Sequence, residues 1–384
     1  MFSFLQPKSC IGIDLGAGGV KLVELRQEKN RPVLFSYGLT SGKQDVHQLV
    51  AQPDKTLTDL TSRSAGQQDR KLEKDKNKST MDANQVENYA SLIKEVCHAS
   101  KTVGKKAVVS LPVSAVFHAI VTMPKMDKKD FGLVLKAEVK KLMPRPLEEM
   151  ALDYQILPDV NNTAKAQRVL VNAVPKELVA FYTSIFQKAG LVLEALEPES
   201  IALARSLVGK DPAINMIVDV GAERTNFFII DQSVPVTHHS IETGGHKMDI
   251  ILKNILGVED IMIEKIKYDL STYLSGGKNG MAPAEFLQIF SPVIEPILKE
   301  IEVSLELYLR QSANMGRRPE KIILTGGAAL LPYLSTFIAE KFKIKCYVGD
   351  PWARTVYQNS LKPVLNQIGP RMAVAIGLAL RSMV

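Results

Sequence analysis

One pattern occurs twice in this chain, and it limits the folds open to it. Cys10 to Leu25 reads C-I-G-I-D-L-G-A-G-G-V-K-L-V-E-L. An apolar run ends in Asp14, a bend of Gly16, Ala17, Gly18 and Gly19 follows, and alternation resumes at Val20, with Lys21 next. Period-two alternation around a glycine bend predicts a β-hairpin. Met216 to Asp231 reads M-I-V-D-V-G-A-E-R-T-N-F-F-I-I-D: an apolar run ends in Asp219, Gly221 and Ala222 follow, and a second apolar run opens after Thr225. Two copies of strand, Asp-x-Gly, bend and strand form an internal repeat. A bend nearly bare of side chains lets backbone N–H groups close on an anion. One carboxylate per copy suits magnesium, which takes few protein oxygens and fills its shell with water and phosphate. Facing each other across a cleft, two such hairpins would clamp the phosphate tail of a nucleotide. Taken singly, either is equally an ordinary glycine-rich hairpin.

Three further stretches carry candidate contacts. Gly244 and Gly245 lie between a strand end and a helix expected over Met248–Leu256. Glu264 and Lys267 share one face of a helix expected over Glu259–Leu270; they either pair with each other or reach a common ligand. Gly326, Gly327 and Ala328 follow a strand that ends in Thr325, with a helix expected from Pro332. Bare backbone there lets the flat ring of a ligand lie close, although a tight turn explains it as well.

The remaining periodicities sketch the architecture. Pro32–Leu39 reads as a third strand beside the first hairpin, and Asp82–Ser100 as a helix. Gln52–Ser79 is charged and almost free of apolar residues, which predicts a mobile surface insertion. A second module is expected from Ala107: strands Ala107–Leu111 and Val116–Met123, helix Asp127–Met143, strands Leu152–Leu157 and Arg168–Val174, and helix Glu177–Lys188. A strand over Leu191–Leu196 and a helix opened by Glu197, Pro198 and Ser200 return to the first sheet. A long helix is expected over Pro283–Ser312, bent at Pro292 and Pro296, and the last one over Pro370–Met383. These divisions give residues 1–106 as the N-terminal part of one lobe, 107–190 as an inserted α+β module, 191–215 and 365–384 as the return of the first lobe, and 216–364 as a second lobe.

Composition narrows the function. The chain has 384 residues, 46% hydrophobic and 23% charged, which is ordinary for a globular protein of more than one domain. No apolar run reaches the length of a membrane span, and Met1–Lys8 is too short and polar for a secretory signal. It reads as a frayed terminus, or as a short apolar segment resting on a membrane or partner. Three scattered cysteines suggest neither a disulfide framework nor a zinc site, so a cytoplasmic location is expected. The net charge of +7 favours anionic partners, yet aromatics are only 6% and are not interleaved with Lys and Arg. Nucleic acid is therefore not expected as a partner. No Gly-x-x-x-x-Gly-Lys-Ser/Thr loop is present, and no Ser-His-Asp, Cys-His or metal-ligand cluster can be argued.

On these residues the chain resembles the actin-like ATPases. Asp14 to Lys21 looks like their first phosphate motif, Asp219 to Thr225 like the second, and Gly326-Gly327-Ala328 like the adenosine motif. Within that superfamily it is most similar to the PilM family of type IV pilus assembly proteins, relatives of the division protein FtsA. Val108–Phe117, Met143–Leu157 and Gln187–Leu191 carry the likeness beyond the nucleotide motifs. The first bend departs from the family in lacking serines, Arg145 stands where an aromatic is common, and the insertion is atypical.

The resemblance implies an α/β fold of the actin-like type: a duplicated, ribonuclease H-like, two-lobed architecture with a small inserted α+β subdomain. It implies ATP and Mg2+ between the lobes. Asp14 and Asp219 would sit near the metal through water. Gly16, Ala17, Gly18, Gly19, Lys21, Gly221, Ala222 and Thr225 would hold phosphates. Gly244, Gly245, Glu264, Lys267, Gly326, Gly327 and Ala328 would hold adenosine. No residue declares itself as a catalytic base, so hydrolysis is expected to be slow or absent. The implied partner is the N-terminal cytoplasmic peptide of PilN. Pilus motor ATPases, the inner-membrane platform protein and further copies of the chain are additional implied partners, with association at the inner face of the cytoplasmic membrane made through them. A polymerising FtsA-like scaffold would instead form membrane-tethered filaments without binding PilN. A sugar kinase of the same fold would instead need a carboxylate base facing a sugar pocket.

Overall fold

The computed structural model describes residues 8–40, 83–157, 166–259, 262–263, 266, 282–310 and 316–383. The charged stretch read as an insertion over Gln52–Ser79 and most of the helix expected over Glu259–Leu270 lie outside them.

The internal repeat is a repeat of whole sheets. β1 (Ser9–Gly16), β2 (Gly19–Glu28), β3 (Arg31–Leu39), β4 (Lys106–Leu111) and β8 (Val192–Pro198) form one sheet in the order β3-β2-β1-β4-β8. β9 (Asn215–Val220), β10 (Thr225–Asp231), β11 (Val234–Ile241), β12 (Lys321–Thr325) and β13 (Lys345–Val348) form another in the order β11-β10-β9-β12-β13. In each, three antiparallel strands are followed by two parallel ones. Both sheets belong to one compact unit, Met1–Gln44 with Val96–Val113 and Val192–Val384.

Strand alternation assigns the faces. On β9, Met216, Val218 and Val220 join the core under α5 (Gly245–Leu256), α6 (Pro283–Ile289), α7 (Ser291–Arg310) and α8 (Leu334–Phe342). Ile217 faces the opposite way, with Phe228, Ile230 and Ile323. That second core also takes Cys10 and Val108 from the first sheet, Ala202 and Leu203 from α4 (Glu199–Leu203), and Ala373, Val374 and Leu378 from α9 (Lys362–Ala379). The two sheets therefore share a core with α4 and α9 between them.

α9 approaches its neighbours closely because it is glycine-rich at the contacts. A Cβ on Gly12 of β1 would run into the Ala375 carbonyl, and one on Gly377 into the Ala202 carbonyl. The other face of α9 packs Leu365, Met372, Ile376 and Ala379 against Val23, Leu25 and the fully buried Trp352, whose Nε1 donates to the Leu365 carbonyl at 2.9 Å.

The second compact unit comprises Asp45–Glu95 and Ser114–Leu191. Its sheet has the order β5-β7-β6, from β5 (Phe117–Pro124), β6 (Met150–Ile156) and β7 (Ala166–Pro175), all antiparallel. α2 (Lys128–Leu142) lays Phe131, Leu135 and Val139 on Val121, Met123, Val169 and Val171. α3 (Lys176–Ala189) buries Leu178, Phe181, Tyr182, Ile185 and Phe186 and ends at Gly190 in the left-handed conformation. α1 (Ala83–Ala99) crosses the division between the units within its length.

Four expectations are corrected. β4, placed at the start of the inserted module, pairs with β1 and β8, so the module begins at Ser114 and not at residue 107. The long helix over 283–312 is two helices meeting at Phe290, with Pro292 in the first turn of the second, where its missing N–H costs nothing. α8 starts at Leu334 rather than Pro332, after a 3-10 turn over Gly327–Leu330. α9 begins at Lys362, not Pro370, and carries that proline in its interior.

Gly377→Ala is expected to lower unfolding stability by about 2 kcal/mol, because backbone rather than a movable side chain fills the space a Cβ needs. Gly132→Ala, at an exposed position of α2 with open space around it, is expected to raise it by about 0.5–1 kcal/mol. Urea unfolding of the two variants beside the parent checks both signs.

Candidate functional site

Register and alternation build the first half of the site. Asp14 is opposite Lys21 in the β1–β2 ladder, so their side chains share a face, and they lie on the face that Cys10 and Gly12 turn toward α9. Ser110, two residues on from Val108 in β4, joins them: its Oγ donates to Asp14 Oδ1 at 2.8 Å in a buried setting. Lys21 Nζ is 3.4 Å from Asp14 Oδ2. β1 and β2 are joined by Ala17 and Gly18 alone, with Gly19 at φ 99°, which suits glycine in a tight hairpin. The Lys21 ammonium lies against Gly16, leaving no room there for a side chain without moving it.

The second bend is built the same way on the other sheet. Asp219 points to the inner face with Ile217, and Gly221 N donates to the Arg224 carbonyl at 2.9 Å to close the turn. α5 is seated on this bend: Gly245 N donates to the Gly221 carbonyl and His246 N to the Ala222 carbonyl, both at 2.8 Å. Thr225, expected among the phosphate contacts, is wholly buried, and its hydroxyl donates to the Thr243 carbonyl at 2.6 Å. In this structure its side chain therefore holds the approach to Gly244 and Gly245.

The third glycine stretch closes against the second. Gly326 has φ 87° and packs on Val220 and the Asp219 carboxylate, where a Cβ would collide with backbone. Gly245 lies beside the Ala328 methyl, and Gly327 lies under the aliphatic part of Arg371. Gly221, Ala222, Gly244, Gly245 and Gly326–Ala328 thus form one surface. Gly18 meets it from the first sheet, with a Cβ there 3.4 Å from the Ala222 Cβ. The two bends face each other. Glu264 and Lys267 lie outside the described residues.

Three residues that sequence reasoning missed complete the cluster. Glu199, the first residue of α4, is buried at the carboxyl end of β8. Asn226, opposite Asp219 in the β9–β10 ladder, donates from Nδ2 to Glu199 Oε2 at 3.5 Å. Ser110 is the third. The available signal was positional: sites of α/β sheets collect at the carboxyl ends of parallel strands, and β4 and β8 end there.

Electrostatically the site is short of positive charge. Burial, then the charge of Asp14, push Asp219 up to about 6, against Lys21 and the Asn226 hydrogen bond. Burial, then Asp14 and Asp219, hold Glu199 well above the usual carboxylate range, against Lys21 and a Val113 backbone hydrogen bond. Three carboxyl groups thus share one lysine. Hard oxygen donors in excess of cations fit a magnesium ion. Among the described residues no three of His, Cys, Asp and Glu group as direct metal ligands, so the fit is to an ion held largely through water and phosphate.

The folded-state pKa of Asp219 lies above its ordinary 3.8, so the proton is bound more tightly in the folded chain. That contribution to stability is complete below about pH 4 and lost as pH rises through 6. Asp219→Asn is therefore expected to stabilise the ligand-free chain by about 1–2 kcal/mol at pH 7, with the gain fading to zero below pH 4. Denaturant unfolding across that pH range reads it.

Known proteins share this fold. The sequence model of the family "Type IV pilus assembly protein PilM" matches residues 69–383. A solved structure described as "PilM-PilN type IV pilus biogenesis complex" superposes with a TM-score of 0.73 at 22% identity, covering 98% of this chain and 98% of that one. The cell shape-determining protein Mbl of Bacillus subtilis (strain 168) is 26% identical over 177 residues, 40% of this chain. The chain spans about half, 53%, of the length of that curated relative. The fold is actin-like, and the chain belongs to the PilM family of type IV pilus assembly proteins.

Proposed function

We propose that this PilM-family chain is an ATP-binding adaptor of type IV pilus assembly that takes up the N-terminal cytoplasmic peptide of PilN and couples the inner-membrane complex to the pilus motors. The observation that carries the nucleotide half is the approach of Gly18 to Ala222, two side-chain-poor bends on duplicated sheets with Asp14, Asp219 and Lys21 behind them. The peptide half is supported by family membership and by the match to a PilM protein solved as a complex with PilN.

Each residue then has a task. Backbone N–H groups of Gly16–Gly19 and Gly221–Ala222 receive the phosphate oxygens, with Lys21 adding a fixed charge. Asp14 and Asp219 would hold Mg2+ through water, and its positive charge would offset the negative charge of the triphosphate. Ser110 keeps the Asp14 carboxylate turned inward. Gly244, Gly245 and Gly326–Ala328, with Glu264 and Lys267, take the adenosine. Glu199 is the carboxylate suited to accept a proton from water, its affinity for protons being raised by its surroundings. Its hydrogen-bond partner Asn226 also bonds to Asp219, which fixes both relative to the second bend. Turnover is slow, and the protein acts at the inner face of the cytoplasmic membrane through its partners.

Calorimetry with Mg2+–ATP and a PilN N-terminal peptide tests the reading. The parent chain is expected to bind ATP and, in its presence, the peptide. Lys21→Ala is expected to weaken ATP binding at least about tenfold, roughly the worth of one charge-assisted phosphate contact. Absence of peptide binding both with and without Mg2+–ATP rejects the adaptor. Peptide binding without ATP affinity rejects the nucleotide site.

A further inference from the structure

The inner face of α2 is accounted for by the core of its own unit, and its outer face is not. Lys129, Leu133, Lys136 and Lys140 follow the i, i+4, i+7, i+11 spacing of one helix face, all exposed. Leu133 is 73% exposed. Lys141, Lys125 and Arg145 add exposed positive charge at or beyond the ends.

The neighbouring acids do little to offset it. Glu138 is held by Lys141 at 2.7 Å, Asp127 and Asp130 sit at the N-terminal end, where they complement the helix dipole, and Glu177 is 3.8 Å from Arg145. Among the described residues no acidic side chain pairs with Lys129, Lys136 or Lys140. Three unpaired lysines around one exposed leucine make this a strongly basic face with an apolar centre.

We infer that the outer face of α2 contacts an anionic lipid surface directly. The choice of occupant follows from shape and charge. The outer side of a single helix is convex, offering neither the groove nor the free strand edge by which peptides are bound. An acidic peptide would gain only screened pairwise contacts there. A bilayer presents a plane of negative headgroups to every lysine at once, and beneath them an apolar layer that Leu133 can enter. Clusters of four or more Lys and Arg on an amphipathic helix are the composition such surfaces attract. This contact is separate from the nucleotide and PilN readings and does not rest on them.

Flotation of the full chain tests it, with vesicles of phosphatidylcholine alone and of phosphatidylcholine mixed with phosphatidylglycerol. The parent is expected on the mixed vesicles only, and to leave them as salt is raised. Charge reversal of Lys129, Lys136 and Lys140 to Glu is expected to weaken partitioning at least about a hundredfold. The same reversal at Lys341, Lys345 and Lys362, exposed elsewhere, is expected to cost clearly less. Leu133→Ser is expected to weaken it several-fold with no change of charge, and thermal unfolding of each variant confirms that it is folded. The inference is overturned if the parent ignores the mixed vesicles, if both triple variants lose binding equally, or if the α2 lysines bind soluble polyglutamate while vesicles are left untouched.

Discussion

Three carboxyl groups gathered around one ammonium is the constraint on which the site depends. Asp14, Asp219 and Glu199 come from different elements and both sheets, and Lys21 is the cation common to their surroundings. Such a cluster is costly to bury, and the cost is reflected in the raised proton affinity of Asp219 and Glu199. Folding tolerates it because the shared core beside it is large and apolar. A divalent cation bound with phosphate would replace those protons and relieve the repulsion. On the proposed reading, the same carboxylates would disfavour phosphate that came without a metal.

The second requirement is that the bends remain in register with each other, and α9 supplies the connection. It packs on β1 at Gly12 and on α4 at Gly377, so it is fixed to the first sheet. The Pro370 carbonyl accepts from Thr325 Oγ1 and from Gly326 N, both at 3.0 Å, at the end of β12 in the second sheet. One helix therefore ties the strand that carries Asp14 to the loop that packs on Asp219. An interior proline is normally a liability because it removes an intrahelical donor. Here the proline's own carbonyl is used by the end of β12, and the helix stays continuous from Lys362 to Ala379.

Much of this was legible in the sequence because the signal was local. Asp14, Gly16–Gly19 and Lys21 announce a hairpin by alternation, and Asp219 to Thr225 repeat the pattern, so the duplicated sheets followed. Local pattern could not assign β4, since Ala107–Leu111 reads the same whether it opens a new module or pairs with β1. Nor could it find Ser110, Asn226 and Glu199, whose roles come from neighbours across a ladder or at a strand end far away in the chain. The bond from the Thr225 hydroxyl to the Thr243 carbonyl was likewise not legible, because it joins a residue on β10 to one just past the end of β11.

The central claim is that both glycine bends close on one triphosphate, and hydrogen–deuterium exchange tests it most directly. On addition of Mg2+–ATP, the backbone amides of Gly16–Gly19 and of Gly221–Arg224 should slow together at the same nucleotide concentration. Protection of one bend without the other, or of neither while ATP is demonstrably bound, would contradict the account.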